Sequence, residues 1–369
     1  MTSTVGVEIS ALGMASSLGG LVAGCAAQRA GLRRAADALD YEVQPERELA
    51  RVPARVCALP SATFGFTGVG RLTAILYEVL LDLAAQQELA ALAPPAQLFV
   101  ALPDPADLGI PISERLDDDL AGRVAALGKQ LLANVAAILG PSAGLAAHAT
   151  FFAGRVGFVQ AAAAAREAIE QQPAATCAVI AVDSLVDAPV LDALVLEQRL
   201  KTDDNPVGLV PGEGGAVFWL RAAGRKGAPG AGQGARPVFA AAAFREGPRR
   251  TRPGRDLAAC ITDVTSAGGP VTTRGPAPLL ISDYNGEAPM AEEWGAALAY
   301  LRAAGPAWSA PATFFPAVAF GDCGVASAAL GLCVAARAFA RDYAPSPATV
   351  VVASGETARA ALLLGAPTP

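Results

Sequence analysis

The stretch Arg199–Leu220, RLKTDDNPVGLVPGEGGAVFWL, decides how this chain is read. It opens polar, crosses the turn former Asn205-Pro206, and reaches Pro211-Gly212-Glu213-Gly214-Gly215 ahead of an apolar run, Ala216–Leu220. Proline and glycine punctuate loops, and a short apolar run bounded by them reads as a strand covered on both faces. Cys177–Val182 upstream is a second run of this kind, and Val190–Gln198 between the two has helical spacing.

The same alternation extends outward from there. Toward the N-terminus, Val5–Ile9 reads as a strand, Gly13–Gly19 as a small-residue turn and residues 20–36 as an alanine-rich helix. Residues 61–70 read as a Gly/aromatic loop, Arg71–Ala90 as a long helix and Gln97–Leu102 as a buried strand stopped by Pro103-Asp104-Pro105. Leu116–Leu139 is an amphipathic helix and His148–Phe152 a short apolar segment. Val156–Ile169 carries an unbroken alanine run, apolar on most faces, so it is expected to be a buried helix ending before Pro173. Toward the C-terminus, residues 223–236, AGRKGAPGAGQGAR, read as a solvated low-complexity loop. Strands follow at Val238–Phe244, Leu279–Asp283, Ala348–Ala353 and Ala360–Gly365, with helices at Leu257–Thr265, Ala291–Ala304 and Phe320–Phe339. Alternating strands and helices give an α/β class, and buried alanine-rich helices place helices between sheets as well as outside them. The expected units are 1–222, the loop 223–236, and 237–369.

Composition narrows the function. The chain has 369 residues, 53% hydrophobic and only 17% charged, enough apolar surface for a large core and too much for disorder. Its formal net charge of −6, with lysine only at 129, 201 and 226, leaves no electrostatic footprint for nucleic acid. Neither a polybasic anchor nor a run of about 18 apolar residues appears, so no membrane association is expected. The opening MTSTVGVEIS is not a secretory signal, and the six cysteines form no CxxC pair, so reduced thiols in the cytoplasm are expected. One histidine, His148, without paired thiols argues against a zinc site, and no phosphate-loop pattern is present, so neither metal nor cofactor is expected.

Five segments resemble the β-ketoacyl synthases of the thiolase superfamily, and the resemblance runs nearly the length of the chain. VGVEISALGMASSLGGLVAGCAAQRAGLRR resembles the family's first strand, Gly-Met loop and first helix. CAVIAVDSL and the opening stretch with PGEGG resemble its last strands before the midpoint. FGDCGVASAALGL resembles the glycine-histidine loop and buried helix of the second half, and SGETARAALLL its closing turn and strand. The resemblance implies a five-layered αβαβα thiolase fold built from two pseudo-duplicated halves, commonly dimeric. In the family, a cysteine at the start of a buried helix and two histidines perform decarboxylative condensation. A helix N-terminus favours thiolate, and imidazoles donate to a developing oxyanion.

The chain departs from that pattern at all three positions. Aligning Gly157 with the family's helix glycine puts Gly154 where the cysteine belongs. Asn285, in Ser282-Asp283-Tyr284-Asn285-Gly286-Glu287, takes the first histidine slot, and Asp322 takes the second. The gating Gly-Phe-Gly-Gly reads Ala353-Ser354-Gly355-Glu356. Cys323, ahead of a helix, is the candidate nucleophile, although Asp322 beside it opposes a thiolate. Glu213, Asp283 and Glu287 are candidate pocket carboxylates. Asp283, Glu287 and Asp322, on the face where the family's site opens, predict a negatively charged pocket, which disfavours an enolate. Three functions follow as expectations. One is a non-condensing partner, like a chain-length factor, of a catalytic ketosynthase or acyl carrier protein. The second is an acyl-thioester enzyme, an acyltransferase or hydrolase, using Cys323 or the Asp283/Glu287/Asp322 group. The third is a homodimeric scaffold or binding protein.

Overall fold

The computed structural model describes residues 6–44, 50–86, 97–103, 120–139, 147–224, 236–267 and 277–366. Most of the 223–236 loop, Asp104-Pro105 and the first residues of the Leu116–Leu139 helix lie outside them.

Ten strands form one sheet. The first set is β1 (Val7–Ser16), β4 (Gln97–Ala101), β5 (Ala147–Phe151), β6 (Thr176–Ser184) and β7 (Glu213–Ala222). The second is β8 (Val238–Glu246), β9 (Leu279–Ser282), β10 (Thr313–Phe314), β11 (Ala348–Ser354) and β12 (Ala358–Gly365). The spatial order is β5-β4-β6-β7-β1 joined to β8-β12-β11-β9-β10. In both sets the third strand made pairs in parallel with the second and the second with the fourth. The fourth pairs antiparallel with the fifth and the fifth with the first. This shared topology is the duplication that the sequence does not display. Within the sheet the two sets pair at Val7↔Phe239 and Glu8↔Val238.

Period-two alternation builds the layers. Cys177, Val179 and Ala181 of β6 face a central core, while Ala178, Ile180 and Val182 face an outer one. Likewise Leu362 and Leu364 of β12 face the centre, and Ala361 and Leu363 the opposite outer layer. Helices α3 (Gly68–Gln86) and α4 (Leu120–Leu139) cover the first outer face, and α7 (Arg255–Ala267) and α8 (Ala288–Ala304) the second. The alanine-rich α5 (Gly157–Gln171) and α10 (Ala326–Ala340) fill the middle, giving αβαβα. Small residues permit this closeness: a Cβ on Gly331 of α10 would come within 2.9 Å of Ile281 Cγ2 on β9.

Three local expectations are corrected. Gly13–Ser16 continues β1 rather than turning, because the small residues serve a packing contact: a Cβ on Gly13 would lie 2.5 Å from the Val79 carbonyl of α3. The first helix, α1 (Leu21–Arg29), is shorter than residues 20–36, and Ala36–Val43 (β2) pairs with Val52–Val56 (β3) as a separate hairpin. Residues 320–339 are not one helix. The short α9 (Ala317–Phe320) ends at Gly321 (φ 75°), and Gly324 (φ 50°) completes a turn into α10. Of two further helices, α6 (Ala188–Leu196) packs against the hairpin and α2 (Pro60–Thr63) against the cluster that holds α3. Among the described residues no helix is long and apolar enough to cross a membrane.

Candidate functional site

The strand ends bring Gly154, Asn285 and Asp322 into one region. Gly154 starts a 3₁₀ turn between β5 and α5, with φ at 51°. Asp283 and Asn285 follow β9, and Asp322 sits in the turn before α10. A residue overlooked in the sequence links them. Arg155, next to Gly154, donates through Nη2 to Asp322 Oδ2 and places Nη1 3.5 Å from Asp283 Oδ2. Asn285 Nδ2 donates to Asp322 Oδ2 at 2.5 Å and to Glu287 Oε2 at 2.8 Å. Arg199, from the other end of the PGEGG stretch, clamps Glu287 with both Nε and Nη2, at 2.8 and 3.1 Å.

The expectation of a bare negative pocket is therefore corrected. Two guanidinium groups from the first half meet three carboxylates from the second. Burial pushes Asp322 up, but Arg155 and the hydrogen bonds from Arg155, Asn285 and Gly324 outweigh it and hold the carboxyl below its usual range. Burial alone would lower Arg155, but Asp322 and Asp283 more than offset this and raise it. Asp283, farther from Arg155, has burial as its dominant influence and is pushed up to about 6. Glu287 follows the Asp322 pattern: burial opposes ionisation, and Arg199 wins. Arg155 Nη1 and Asp283 Oδ1 are buried without a hydrogen-bond partner, so this contact is looser than the Arg155–Asp322 pair.

Cys323 is not presented for attack. It is fully buried, and its Sγ donates to the carbonyls of Phe320 and Gly321 at 3.6 and 3.7 Å. Burial first, then Asp322, pushes the thiol well above its usual value. The amides ahead of α10 are already taken: Gly324 N–H donates to Asp322 Oδ1 at 3.0 Å and Val325 N–H to Asp183 Oδ2 at 2.8 Å. The positive end of the helix thus serves carboxylates, not a thiolate.

Glu213 belongs to a different cluster. Its Oε1 accepts from Leu59 N–H (2.6 Å) and Thr63 Oγ1 (2.7 Å), and its Oε2 from Arg71 Nε (2.7 Å) and Ser184 Oγ (2.9 Å). A fully buried carboxylate with four donors is a structural pin, not a base facing a pocket. Two surface cavities flank the hairpin. One of about 130 Å³ is lined by Ala38, Val56, Phe64 and Val186; the other, of about 470 Å³, by Val43, Leu200, Thr202 and Asn205. Neither is lined by Gly154, Asn285, Asp322 or Cys323.

No family model and no curated protein matches the sequence. Solved structures do match. A chain of the complex between a type II polyketide synthase acyl carrier protein and its hexaketide-bound ketosynthase superposes with TM-score 0.70 and 11% identity, covering 99% of this chain and 100% of that one. The ishigamide ketosynthase/chain length factor gives 0.73 and 15%, covering 99% and 100%. The oxazolomycin ketosynthase domain of Streptomyces albus gives 0.71 and 13%, covering 99% of this chain and 74% of that one. The likeness is one of architecture: this chain has the thiolase-like ketosynthase fold over its length.

Proposed function

We propose that this chain is a non-condensing, ketosynthase-like subunit of polyketide- or fatty-acid-type acyl metabolism, working in the cytoplasm beside a condensing ketosynthase as a chain-length factor does. The observation that carries this reading is the Arg155–Asp322–Asn285–Glu287–Arg199 network filling the place where Gly154, Asn285 and Asp322 replace nucleophile and imidazoles. Condensation needs a thiolate to carry the acyl group and free donors aimed at the oxyanion. Gly154 has no side chain, the Asn285 amide is committed to two carboxylates, and Arg155 is held by Asp322. The burial of Cys323 disfavours the acyl-transfer alternative.

A partner has a natural place to dock. β5 lies at the end of the sheet, pairing only with β4 among the described residues, so its other edge offers unpaired backbone groups to a strand of a second subunit.

Intact mass after incubation with acyl-thioesters, on carrier protein and on coenzyme A, tests the reading. No covalent adduct is expected. An adduct lost in Cys323→Ala sinks the proposal and makes the chain an acyl-handling enzyme. Light scattering on a mixture with a condensing ketosynthase is expected to give a one-to-one heterodimer. A homodimer that never exchanges favours the scaffold reading instead.

A further inference from the structure

The smaller of the two cavities, about 130 Å³, lies between the β2–β3 hairpin and helix α2. Its walls are apolar: Ala38 and Leu39 from β2, Val56 from β3, then Ala58, Phe64 and Val186. Leu39 and Phe64 are 71% and 63% exposed, whereas Val56 is 2% exposed. Two large apolar side chains thus mark the mouth, and a buried valine the interior. An apolar cavity of about 150 Å³ takes up a benzene ring, so this space suits one ring and little more.

The inner end is polar. Thr63 is fully buried and Arg71 is buried, and both line the cavity. The Glu213 cluster fixes the guanidinium. Arg71 Nε donates to Glu213 Oε2 at 2.7 Å and to Ser184 Oγ at 3.1 Å. Nη1 donates to the Phe66 carbonyl at 3.2 Å and Nη2 to Thr63 Oγ1 at 3.4 Å. A guanidinium has five N–H groups, and these bonds use Nε–H and one hydrogen on each Nη. The second hydrogen on each Nη has no acceptor among the described residues. Such a donor, held rigid beside an apolar space, favours a ligand that brings the acceptor with it, because water competes poorly there.

Charge narrows the ligand further. Glu213, fully buried, already balances Arg71. The other charged residues of the lining are Arg34, Asp37 and Asp40, all exposed. Arg55 pairs with Asp37 at 2.7 Å, which leaves Arg34 and Asp40, one of each sign. The cavity therefore offers no net field to an ion. A carboxylate or an ammonium group would lose its hydration without gaining a counter-charge. A neutral oxygen needs only a donor, and Arg71 supplies it.

We infer that this cavity is a binding site for a neutral compound of one aromatic ring bearing a carbonyl oxygen. The ring lies between the hairpin and Phe64, whose own ring favours an aromatic neighbour, and the oxygen accepts from Arg71. The cavity is not lined by Gly154, Asn285 or Asp322, so the inference does not depend on a place beside a condensing ketosynthase.

Ligand-observed NMR titration of the full chain tests this, with acetophenone as the probe. Saturable one-to-one binding is expected. Ala38→Phe and Ala58→Phe each add a ring's bulk to a wall and are expected to weaken binding by about tenfold or more. Unchanged thermal melts show that these variants are folded. Benzoate, of nearly the same shape but charged, is expected to bind about tenfold more weakly than acetophenone. Arg71→Lys keeps a charge opposite Glu213 but removes the fork. It is expected to lower the ratio of acetophenone affinity to that of α-methylstyrene, which has CH₂ in place of the oxygen, by about fivefold or more. No saturable binding, or full binding by both filled variants, overturns the site. Tighter binding of benzoate overturns the neutral ligand in favour of an anion. An unchanged ratio in Arg71→Lys overturns the assigned donor.

Discussion

The two halves secure the end of their fourth strand with the same kinds of side chain and the opposite wiring. In the first half Ser184 ends β6 and lies opposite Glu213 of β7; the serine donates to Glu213, and the arginine, Arg71, comes from helix α3. In the second half Ser354 ends β11 and lies opposite Arg359 of β12; the serine donates to a glutamate on helix α8, Glu293, which also holds Arg359 and Arg249. The acid rides on the strand in one half and on the helix in the other. Strand pairing therefore fixes where a buried ion pair is useful, but not which element carries which charge. Around that shared feature the halves diverge: residues 185–212 connect the fourth and fifth strands of the first half, and Gly355-Glu356-Thr357 those of the second. The long connection delivers Arg199 to Glu287; the short one meets Arg249 through the Gly355 carbonyl and the Glu356 carboxylate.

The largest effect is expected where one acid holds two arginines. Glu293→Gln leaves Arg249 and Arg359 buried without their carboxylate and is expected to cost about 3–5 kcal/mol in chemical denaturation. Glu213→Gln strands only Arg71, and a loss at or below the bottom of that range, about 3 kcal/mol, is expected. Equal losses would break the comparison. Glu213→Arg with Arg71→Glu imposes the wiring of the second half on the first. The double variant is expected to lose at least about 1 kcal/mol less than the sum of the two single losses, the coupling energy of the cycle.

Asp283 gives a smaller, pH-dependent effect at the junction between the halves. Its carboxyl is raised from 3.8 to about 6 on folding, so the folded chain holds a proton that the unfolded chain releases between those values. Stability from this group is full below the lower value and lost as pH rises through the upper. The wild type is therefore expected to gain about 1 kcal/mol on going from about pH 7 to about pH 5 relative to Asp283→Asn. Parallel profiles for the two proteins would refute this. Asp322 and Glu287, both lowered, act oppositely and lose their contribution only at more acidic pH. The smallest effect is at the rim: Glu356, 78% exposed at its side chain, is expected to cost less than about 1 kcal/mol as Glu356→Ala.

Strands that are buried on both faces announced themselves as apolar runs, which is why β6, β7, β11 and β12 were legible. The β2–β3 hairpin was not, because ADALDYEV is mostly exposed and β3 carries Pro53, leaving little periodicity to read. Gly13 misled because glycine marks both turns and close packing, and only the position of α3 distinguishes them. Gly321 and Gly324 were visible breaks in 320–339, but the apolar composition around them masked the signal. At the site, Gly154, Asn285 and Asp322 stand out in the sequence only through the motifs that they resemble; hydrogen bonds join Asn285 to Asp322, and Arg155, next to Gly154, to Asp322. Arg155 and Arg199 carry no motif of their own, and their partners Asp322 and Glu287 lie more than 80 residues away in sequence, so nothing local marks them. The available clue is electrostatic: buried carboxylates at 283 and 322 demand a cation, and Arg155 adjoins Gly154.

The place of β1 in the middle of the sheet has a consequence for synthesis. Among the described residues the strands paired with β1 are β7 and β8, so Val7 waits for Ala222 and Phe239 to exist. At about 5–20 residues per second, translation leaves that strand without either neighbour for roughly 10–40 seconds. Met14 and Ile9, later among the most deeply enclosed residues, spend that interval on an open edge. The nascent chain therefore passes through a long period of stickiness, and its yield in the cell is expected to depend on holding chaperones more than its finished stability would suggest.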